Sequence, residues 1–501
     1  MRGYRQAKAT KCGGMGHGKS ERLMVPRKPG NRPHGTRWRE AGAEDTDLLE
    51  GQTMGASRPE NVSTKLQQIA KLAREAPTMV LTTLAHHIDL EFLHEAYRQT
   101  RKDGATGVDG QTAEEYATDL EGNLGRLLDS FKAGSYRAPP VRRVHIPKDK
   151  GGSRPIGIPT FEDKVLQRAV AMVLGAVYEQ DFLDCSYGFR PGRSQHQALE
   201  ALRKGLSDMG GGWVIDMDVQ DFFGTLDFGH LRSFLDQRVR DGVLRRSIGK
   251  WLKAGVMEEG ELRRSESGTP QGGVISPLLA NVYLHEVLDT WFEQQVKPRL
   301  QGRSLMVRFA DDAVIVCADE RDANRVMGVL PKRFARFGLT VHPKKTRKVD
   351  FQRPNSRSGP RGGNPSGPGT FDFLGFTHFW GRTRKGGWAV KKKTAKDRFS
   401  RAVGRIAQWC RRWRHKPIAE QHRELSRKLK GHDAYYGVTG NCRALQRLRE
   451  TTRHAWRKWL DRRGGKRSMS WERFVRLLSR YPLPPARVVH SVYRRRCVAN
   501  P

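Results

Sequence analysis

The feature that most restricts this chain is the run Met306–Cys317, MVRFADDAVIVC. Apolar, largely β-branched residues flank Ala310-Asp311-Asp312, a pattern that predicts a β-hairpin with acids at its tight turn. Asp favours turns on its own account, so the hairpin gains chemical meaning only from a second acidic strand. Residues 213–219, WVIDMDV, supply one. A period of two puts Asp216 and Asp218 on one face, and the strand runs on toward Phe222 and Phe223. Two metal ions about 4 Å apart can clamp the attacking and leaving oxygens of an in-line phosphoryl displacement. Mg²⁺ binds through few carboxylates and keeps positions for substrate phosphates. Acids offered by two adjacent strands meet that need.

Charge narrows the partner. The 501 residues carry 92 Lys+Arg against 53 Asp+Glu, a net charge of +39. Such an excess repels itself unless a polyanion is bound, and nucleic acid supplies dense phosphate charge. The excess is concentrated: residues 381–501 hold 35 Lys+Arg and 7 Asp+Glu, with Trp and Tyr interleaved in WCRRWRHK, HAWRKWLDRR and VYRRR. A solvated basic helical face with Trp as core would read this way. An RNA surface using Arg on phosphates and aromatic rings on bases would as well, and the charge density favours it. No segment approaches the ~20 apolar residues that span a bilayer, and the basic N-terminus lacks the apolar stretch of a signal peptide. Six cysteines, at 12, 185, 317, 410, 442 and 497, are too scattered for a zinc ribbon. A soluble intracellular protein in a reducing compartment is expected.

Residues 1–60 read as a basic, loosely ordered leader. Within it GGMGHGKS (13–20) fits the phosphate-loop pattern, but no strand precedes it and Pro26 and Pro29 interrupt any following helix. From 61 to about 131 the apolar period is helical. Short strand-like runs follow, PPVRRVHIPK, SRPIGIPT, GGWVIDMDV, MVRFA, AVIVC and GLTVH, alternating with helices such as FEDKVLQRAVAMVLGAVYEQDF and LRSFLDQRVRDGVLRRSIGKWLKAG. Strands mixed with helices without a regular βαβ repeat predict an α+β core. Residues 353–369 are a Gly/Pro/Ser loop ahead of FDFLGF.

The order and wording of YRAPPVRRVHIPK, GGSRPIGIPTFEDKVLQRAV, SYGFRPGRSQHQAL, WVIDMDVQDFFGTLD, GTPQGGVISPLLANVYL, VRFADDAVIVC, GLTVHPKKT and FDFLGF resemble a bacterial group II intron-encoded reverse transcriptase/maturase. The likeness runs from about residue 61 to 501. It implies a right-hand polymerase, with an N-terminal extension and fingers (61–211), a palm with an antiparallel sheet (212–380), an all-α thumb/maturase domain (381–465) and a basic tail (466–501). It implies Asp218, Asp311 and Asp312 as the metal-binding triad, for two Mg²⁺ with Mn²⁺ as a substitute, and Lys345 as proton donor to pyrophosphate. Phe223 falls at the sugar-discriminating position, Gln271 at the nucleotide pocket, Lys148 and Arg154 at the triphosphate, and Phe373, Leu374, Gly375 and Phe376 at the primer grip.

Implied partners are group II intron RNA, a DNA target or primer and dNTPs, in the bacterial cytoplasm, with the oligomeric state open, a dimer included. Three positions depart from the family pattern: Phe309 for the usual Tyr, Gly224 for an acid, and Phe228 for a His. No paired-cysteine nuclease signature follows residue 465, so second-strand DNA cleavage is not expected. A splicing cofactor without polymerase activity, and a related enzyme serving phage defence or diversity generation, remain the alternatives.

Overall fold

The computed structural model describes residues 59–147, 152–258, 261–263, 272–354, 369–383, 385–463 and 468–491. The leader to residue 58 with its GKS sequence, Lys148, Gln271, most of the 353–369 loop and the last ten residues lie outside them. The chain divides into two compact units. One comprises residues 1–53 and 146–154, the other 54–145 and 155–501. Of the smaller unit, only the ends of two strands are described, and everything below concerns the larger unless stated.

The chain opens with α1 (Pro59–Glu75), α2 (Leu90–Gln99), α3 (Ala113–Tyr116) and α4 (Leu120–Ala133), the helical segment that the 61–131 period predicts. Their boundaries are written in side chains. The Asp89 carboxylate accepts from Phe92 N to start α2, Thr112 and Glu115 form a reciprocal capping box on α3, and Gly134 at φ +74° ends α4. Strands β1 (Val141–Pro147) and β2 (Ser153–Ile158) precede α5 (Phe161–Asp181) and α6 (Gln195–Met209). Next come β3 (Trp213–Met217), β4 (Val219–Gln220), α7 (Phe222–Thr225), α8 (Phe228–Asp236), α9 (Gly242–Lys253), β5 (Val256–Glu258) and β6 (Glu261–Arg263). Helix α10 (Ser276–Leu284) continues through wider π-type turns to Val296, and β7 (Ser304–Phe309) and β8 (Asp312–Cys317) form the expected hairpin. Helix α11 (Glu320–Ala335), β9 (Thr340–Val341), β10 (Arg347–Asp350), β11 (Phe371–Phe373), β12 (Phe376–Arg382) and β13 (Trp388–Thr394) complete the mixed region. Four helices follow: α12 (Lys396–Arg412), α13 (Ile418–Tyr436), α14 (Cys442–Asp461) and α15 (Trp471–Arg480).

The α+β class with a helical C-terminal part is as expected. The central sheet has the order β10-β3-β8-β7 and is antiparallel throughout. Both its faces are covered, which is why β3 and β8 read as near-continuous apolar runs. Ile215, Met217, Ala313, Ile315 and Cys317 point into one core with α5 and α10, while Val214, Val307, Val314 and Val316 point into another with α6 and Phe351, Phe371 and Phe376. A third core, with Ile406, Leu425, Leu429 and Trp456, holds the C-terminal helices together.

Two expectations shift. The segment 231–255 is two helices, because Arg238 turns inward between them. Its guanidinium bonds Asp181 Oδ2 (2.9 Å) and the carbonyls of Ala76 and Met79, and Asp241 caps α9 while accepting from Leu84 N (2.7 Å) and Ala85 N (2.9 Å). Tertiary partners far along the chain override the local helical period there. The boundary expected between 380 and 381 falls inside β12, which pairs with β13 through Arg382↔Trp388. Helices alone begin at Lys396, where the core also changes.

Asp163, in the first turn of α5, is 2% exposed, and its Oδ1 has no hydrogen-bond partner. Burial pushes its carboxyl up to about 7, from an ordinary value of 3.8. A raised acid pKa means the folded state holds the proton longer, so stability is full below about pH 4 and falls as pH rises toward about 7. Asp163→Asn is expected to flatten that limb in denaturant midpoints taken from pH 4 to 8. An unchanged slope in the variant would remove this assignment.

Candidate active site

The β7–β8 hairpin closes through a two-residue loop. Phe309 pairs with Asp312, leaving Ala310 and Asp311 at the turn, with Ala310 at φ +58°. A two-residue loop matches the twist of its strands only with a positive φ, a conformation that costs a non-glycine residue about 1–2 kcal/mol. Something must hold it, and two elements do. Gly188 lies so close that a Cβ there would sit 2.2 Å from Ala310 N. Below it runs a buried polar network that the sequence reading did not find.

Arg308, fully buried, spreads its guanidinium over four partners. Nε and Nη2 reach the two oxygens of buried Asp289 at 2.7 and 2.5 Å, Nη1 reaches Asn281 Oδ1 (3.0 Å) and Ala310 O (2.9 Å), and Nη2 also reaches Ser186 Oγ (2.7 Å). Burial opposes that charge, and the Asp289 carboxylate more than offsets it. Asn281 in turn donates to Gly188 O (2.7 Å), and the backbones of Cys185 and Tyr187 bond both sides of Arg308. The segment SYGFRPG is thereby fastened to the acidic turn. The signal was present in the sequence: Arg308 and Asp289 are charges embedded in apolar periods, and such charges are buried only as pairs.

Strand β3 brings the second set of acids. It pairs with β8 as Asp216↔Val314 and Met217↔Ala313. The pairing ends there, and Asp218 and Asp312 are the next residues of the two segments at that end of the sheet. Asp218, Asp311 and Asp312 are therefore gathered at one end of the central sheet.

Lys345 joins them, its Nζ 2.9 Å from Asp218 Oδ2. The Asp218 backbone is pinned by His342 N (2.8 Å, to Asp218 O) and by the Thr346 hydroxyl (3.2 Å, accepting from Asp218 N). Asp216 differs from its neighbour: burial pushes its carboxyl up, and Arg347 at 3.2 Å opposes that. It is an ion-paired residue of the sheet.

Among the described residues, no group of three or more His, Cys, Asp or Glu stands at metal-ligand spacing. The donors nonetheless suit a hard cation. They are carboxylate oxygens on adjoining strands, and Mg²⁺ sites characteristically take only one or two protein carboxylates and complete themselves with water and phosphate.

The remaining residues divide. Phe223 lies on α7, edge-to-face with buried Phe222 at 5.2 Å. Beside it Asp221 takes φ +43°, and its carboxylate folds over Gly224, where a Cβ would meet Oδ2 at 2.2 Å. Phe309 is buried and its ring lies 6.4 Å from Phe189. Arg154 is exposed on β2, at the end belonging to the smaller unit. Lys148 and Gln271 are outside the described residues, although Gly272 is packed so tightly on Gly157 O that only glycine fits (2.4 Å to a Cβ).

Phe373 pairs with Phe376, and Leu374 and Gly375, both at positive φ, make the turn of a tight hairpin. Helix α13 clamps it. Tyr435 donates its hydroxyl to Leu374 O (2.8 Å), and the rings of Tyr435 and Tyr436 lie 5.8 and 5.2 Å from Phe376.

The C-terminal helices present their aromatic residues in two ways. Trp456 is core and donates to Gln421 Oε1 at 3.0 Å. Trp409, Trp413, Trp459 and Trp471 instead carry Lys or Arg over their rings, Arg462 over Trp459 at 5.0 Å and Arg457 over Trp471 at 4.5 Å among them. Trp456 is thus the core tryptophan of the pattern, while the other four lie among the basic side chains.

Residues 146–378 match the family model described as reverse transcriptase (RNA-dependent DNA polymerase). The chain is 36% identical over 227 residues to the group II intron-encoded protein LtrA of Lactococcus lactis subsp. cremoris, an alignment covering 44% of this chain and 37% of that protein. It is 36% identical over 251 residues to protein YkfC of Escherichia coli K12, covering 48% of this chain and 65% of the relative. Nuclear intron maturase 2, mitochondrial, of Arabidopsis thaliana is 27% identical over 233 residues, 38% of this chain and 30% of that one. The matches thus span less than two thirds of these relatives' own lengths.

Proposed function

We propose that this chain, which carries a reverse-transcriptase domain and is homologous to group II intron-encoded proteins, copies group II intron RNA into DNA during retrohoming and, as a maturase, binds that RNA to promote its splicing. The observation that supports the polymerase half is the β3–β8 pairing, which ends at Met217↔Ala313 so that Asp218 follows it at the end of the sheet where the Asp311–Asp312 turn lies. In this reading Asp218, Asp311 and Asp312 hold divalent cations, Mg²⁺ first and Mn²⁺ as a substitute. Bound there, the cations stabilise charge on the attacking 3′-oxygen and the leaving pyrophosphate.

The chain's own residues do the rest. Lys345, whose Nζ lies 2.9 Å from Asp218 Oδ2, is the proton donor to pyrophosphate. Phe223 presents a ring against a ribose 2′-OH. Gln271 lines the nucleotide pocket, Lys148 and Arg154 take the triphosphate, and the Phe373–Phe376 hairpin holds the primer end. The helices from Lys396 onward, with their cationic excess, are the thumb and maturase part that grips intron RNA. No helix among the described residues is long and apolar enough to cross a membrane; the place of action proposed with this reading is the bacterial cytoplasm.

The test is primer extension by the purified full chain on an RNA template with Mg²⁺ and dNTPs, beside splicing of the intron flanking its reading frame. Template-dependent DNA synthesis and faster splicing are expected together. Splicing assistance without any synthesis would reduce the chain to a splicing cofactor.

A further inference from the structure

Helices α8 and α9 enclose two adjoining hollows whose residues have no place in the site above. The first, of about 220 Å³, is a slot with an apolar floor of Phe228, Leu231, Leu235, Ile248 and Leu252. At its rim Asp236 and Arg245 form an ion pair (2.7 Å), while Asp236 Oδ1 and Arg245 Nε are buried without hydrogen-bond partners. Those two atoms are closed off from the slot, and its polar rim is Arg232 and Lys253 together with the Asp236–Arg245 pair.

The second hollow, of about 480 Å³, is a groove lined by Arg137, Arg232, Arg246, Lys250 and Lys253. Among the described residues, no carboxylate lines it. Lys250 is anchored, with Nζ on the carbonyls of Gly134 and Tyr136 at 2.7 and 2.6 Å. The two hollows share Arg232, Gly249 and Lys253, so an occupant of one reaches the other.

We infer that these hollows bind one unstacked nucleotide of an RNA strand, with the base in the apolar slot and the flanking phosphates in the basic groove. The chemistry selects that occupant. A flat apolar body with a polar edge suits a slot with an apolar floor and a charged rim, since unstacked bases are read by stacking and edge hydrogen bonds. Five cations without a lining acid suit phosphodiesters, with Arg and Lys making charge-assisted contacts. Together the volumes lie in the range of pockets for drug-sized molecules, which is the size of a nucleotide and too small for a duplex. The inference rests on the RNA-binding half of the proposed function, and it adds a recognition site for a bulged or looped base outside the polymerase cleft.

Gly249 offers a clean probe. It lies inside α9 at the junction of slot and groove, and an added Cβ would meet nothing nearer than Arg232 Nη2 at 4.0 Å. Gly249→Leu should keep the helix, because Leu is a better helix former than Gly, while filling the junction.

The experiment measures binding of the full chain to RNA hairpins carrying a single-nucleotide bulge of each base, to the same hairpins without the bulge, and to free nucleoside monophosphates. Wild type is expected to favour at least one bulged hairpin by about tenfold or more, within the 1–3 kcal/mol that stacking one base contributes. Gly249→Leu should erase that preference and leave binding to the unbulged hairpin and primer extension unchanged. Arg232→Ala should lower the slope of log affinity against log salt by about one.

No bulge preference in wild type, or a preference that survives Gly249→Leu, overturns the inference. Free monophosphates bound as tightly as the bulged hairpin would overturn the RNA-strand assignment. Primer extension is read in the same preparations, so failure of the polymerase reading is seen separately.

Discussion

Asp311→Ala is expected to abolish dNTP incorporation on an RNA template while leaving the fold and RNA binding intact. Asp311 sits in the loop of the β7–β8 hairpin, outside both cores, so truncating it removes charge and little packing. A cation-held transition state depends on its carboxylates for several kcal/mol, and each 1.36 kcal/mol is tenfold in rate, so a loss of about 10³-fold or more is expected. Asp218→Asn should match it, because the amide keeps the shape and loses the charge. The contrast is Asp216→Asn on the same strand face. Asp216 is spoken for by Arg347 at 3.2 Å, so its loss should lower stability and spare synthesis. Intron splicing by the Asp311→Ala protein should persist, since the basic C-terminal helices are untouched. Normal synthesis by Asp311→Ala would remove the triad assignment outright.

The sequence disclosed the two acidic strands because their chemistry is local. A hairpin needs only apolar runs and a turn, and the register between β3 and β8 follows from alternation that buries valines on one face and Ile215, Met217 and Ile315 on the other. The split between α8 and α9 was not legible, because Arg238 and Asp241 take partners from the 76–85 region, and no window on the chain contains both. The clamp of Tyr435 on Leu374 joins residues 61 apart and was equally hidden. The boundary near 380 was misplaced for another reason. Composition turns basic along β13, where Lys391, Lys392 and Lys393 stand, before the sheet ends at Thr394.

Asp289→Ala is expected to cost about 3–5 kcal/mol of stability, because it strands the Arg308 guanidinium in a site that excludes water. Both side chains of the pair are 0% exposed, so solvent cannot rescue the charge. The larger consequence is at the turn. Arg308 Nη1 holds Ala310 O, Asn281 holds Gly188 O, and Gly188 abuts Ala310 N. Released, the left-handed Ala310 can relax and carry Asp311 away from Asp218.

A single variant that merely unfolds would not separate positioning from folding, so the paired replacement Asp289→Leu with Arg308→Met decides it. Exchanging a buried ion pair for apolar side chains of similar volume is often neutral for stability. That double variant strands no charge but leaves Asn281 Oδ1 and Ala310 O without their donor, so it should melt below wild type and above Asp289→Ala, and synthesise DNA at least tenfold more slowly with template affinity unchanged. Arg308→Lys should fall between, since an ammonium keeps the charge but cannot fork to Asp289, Asn281 and Ser186 together. Full synthesis by a well-folded double variant would reduce the network to a stability element and leave Gly188 as the main restraint on the acidic turn.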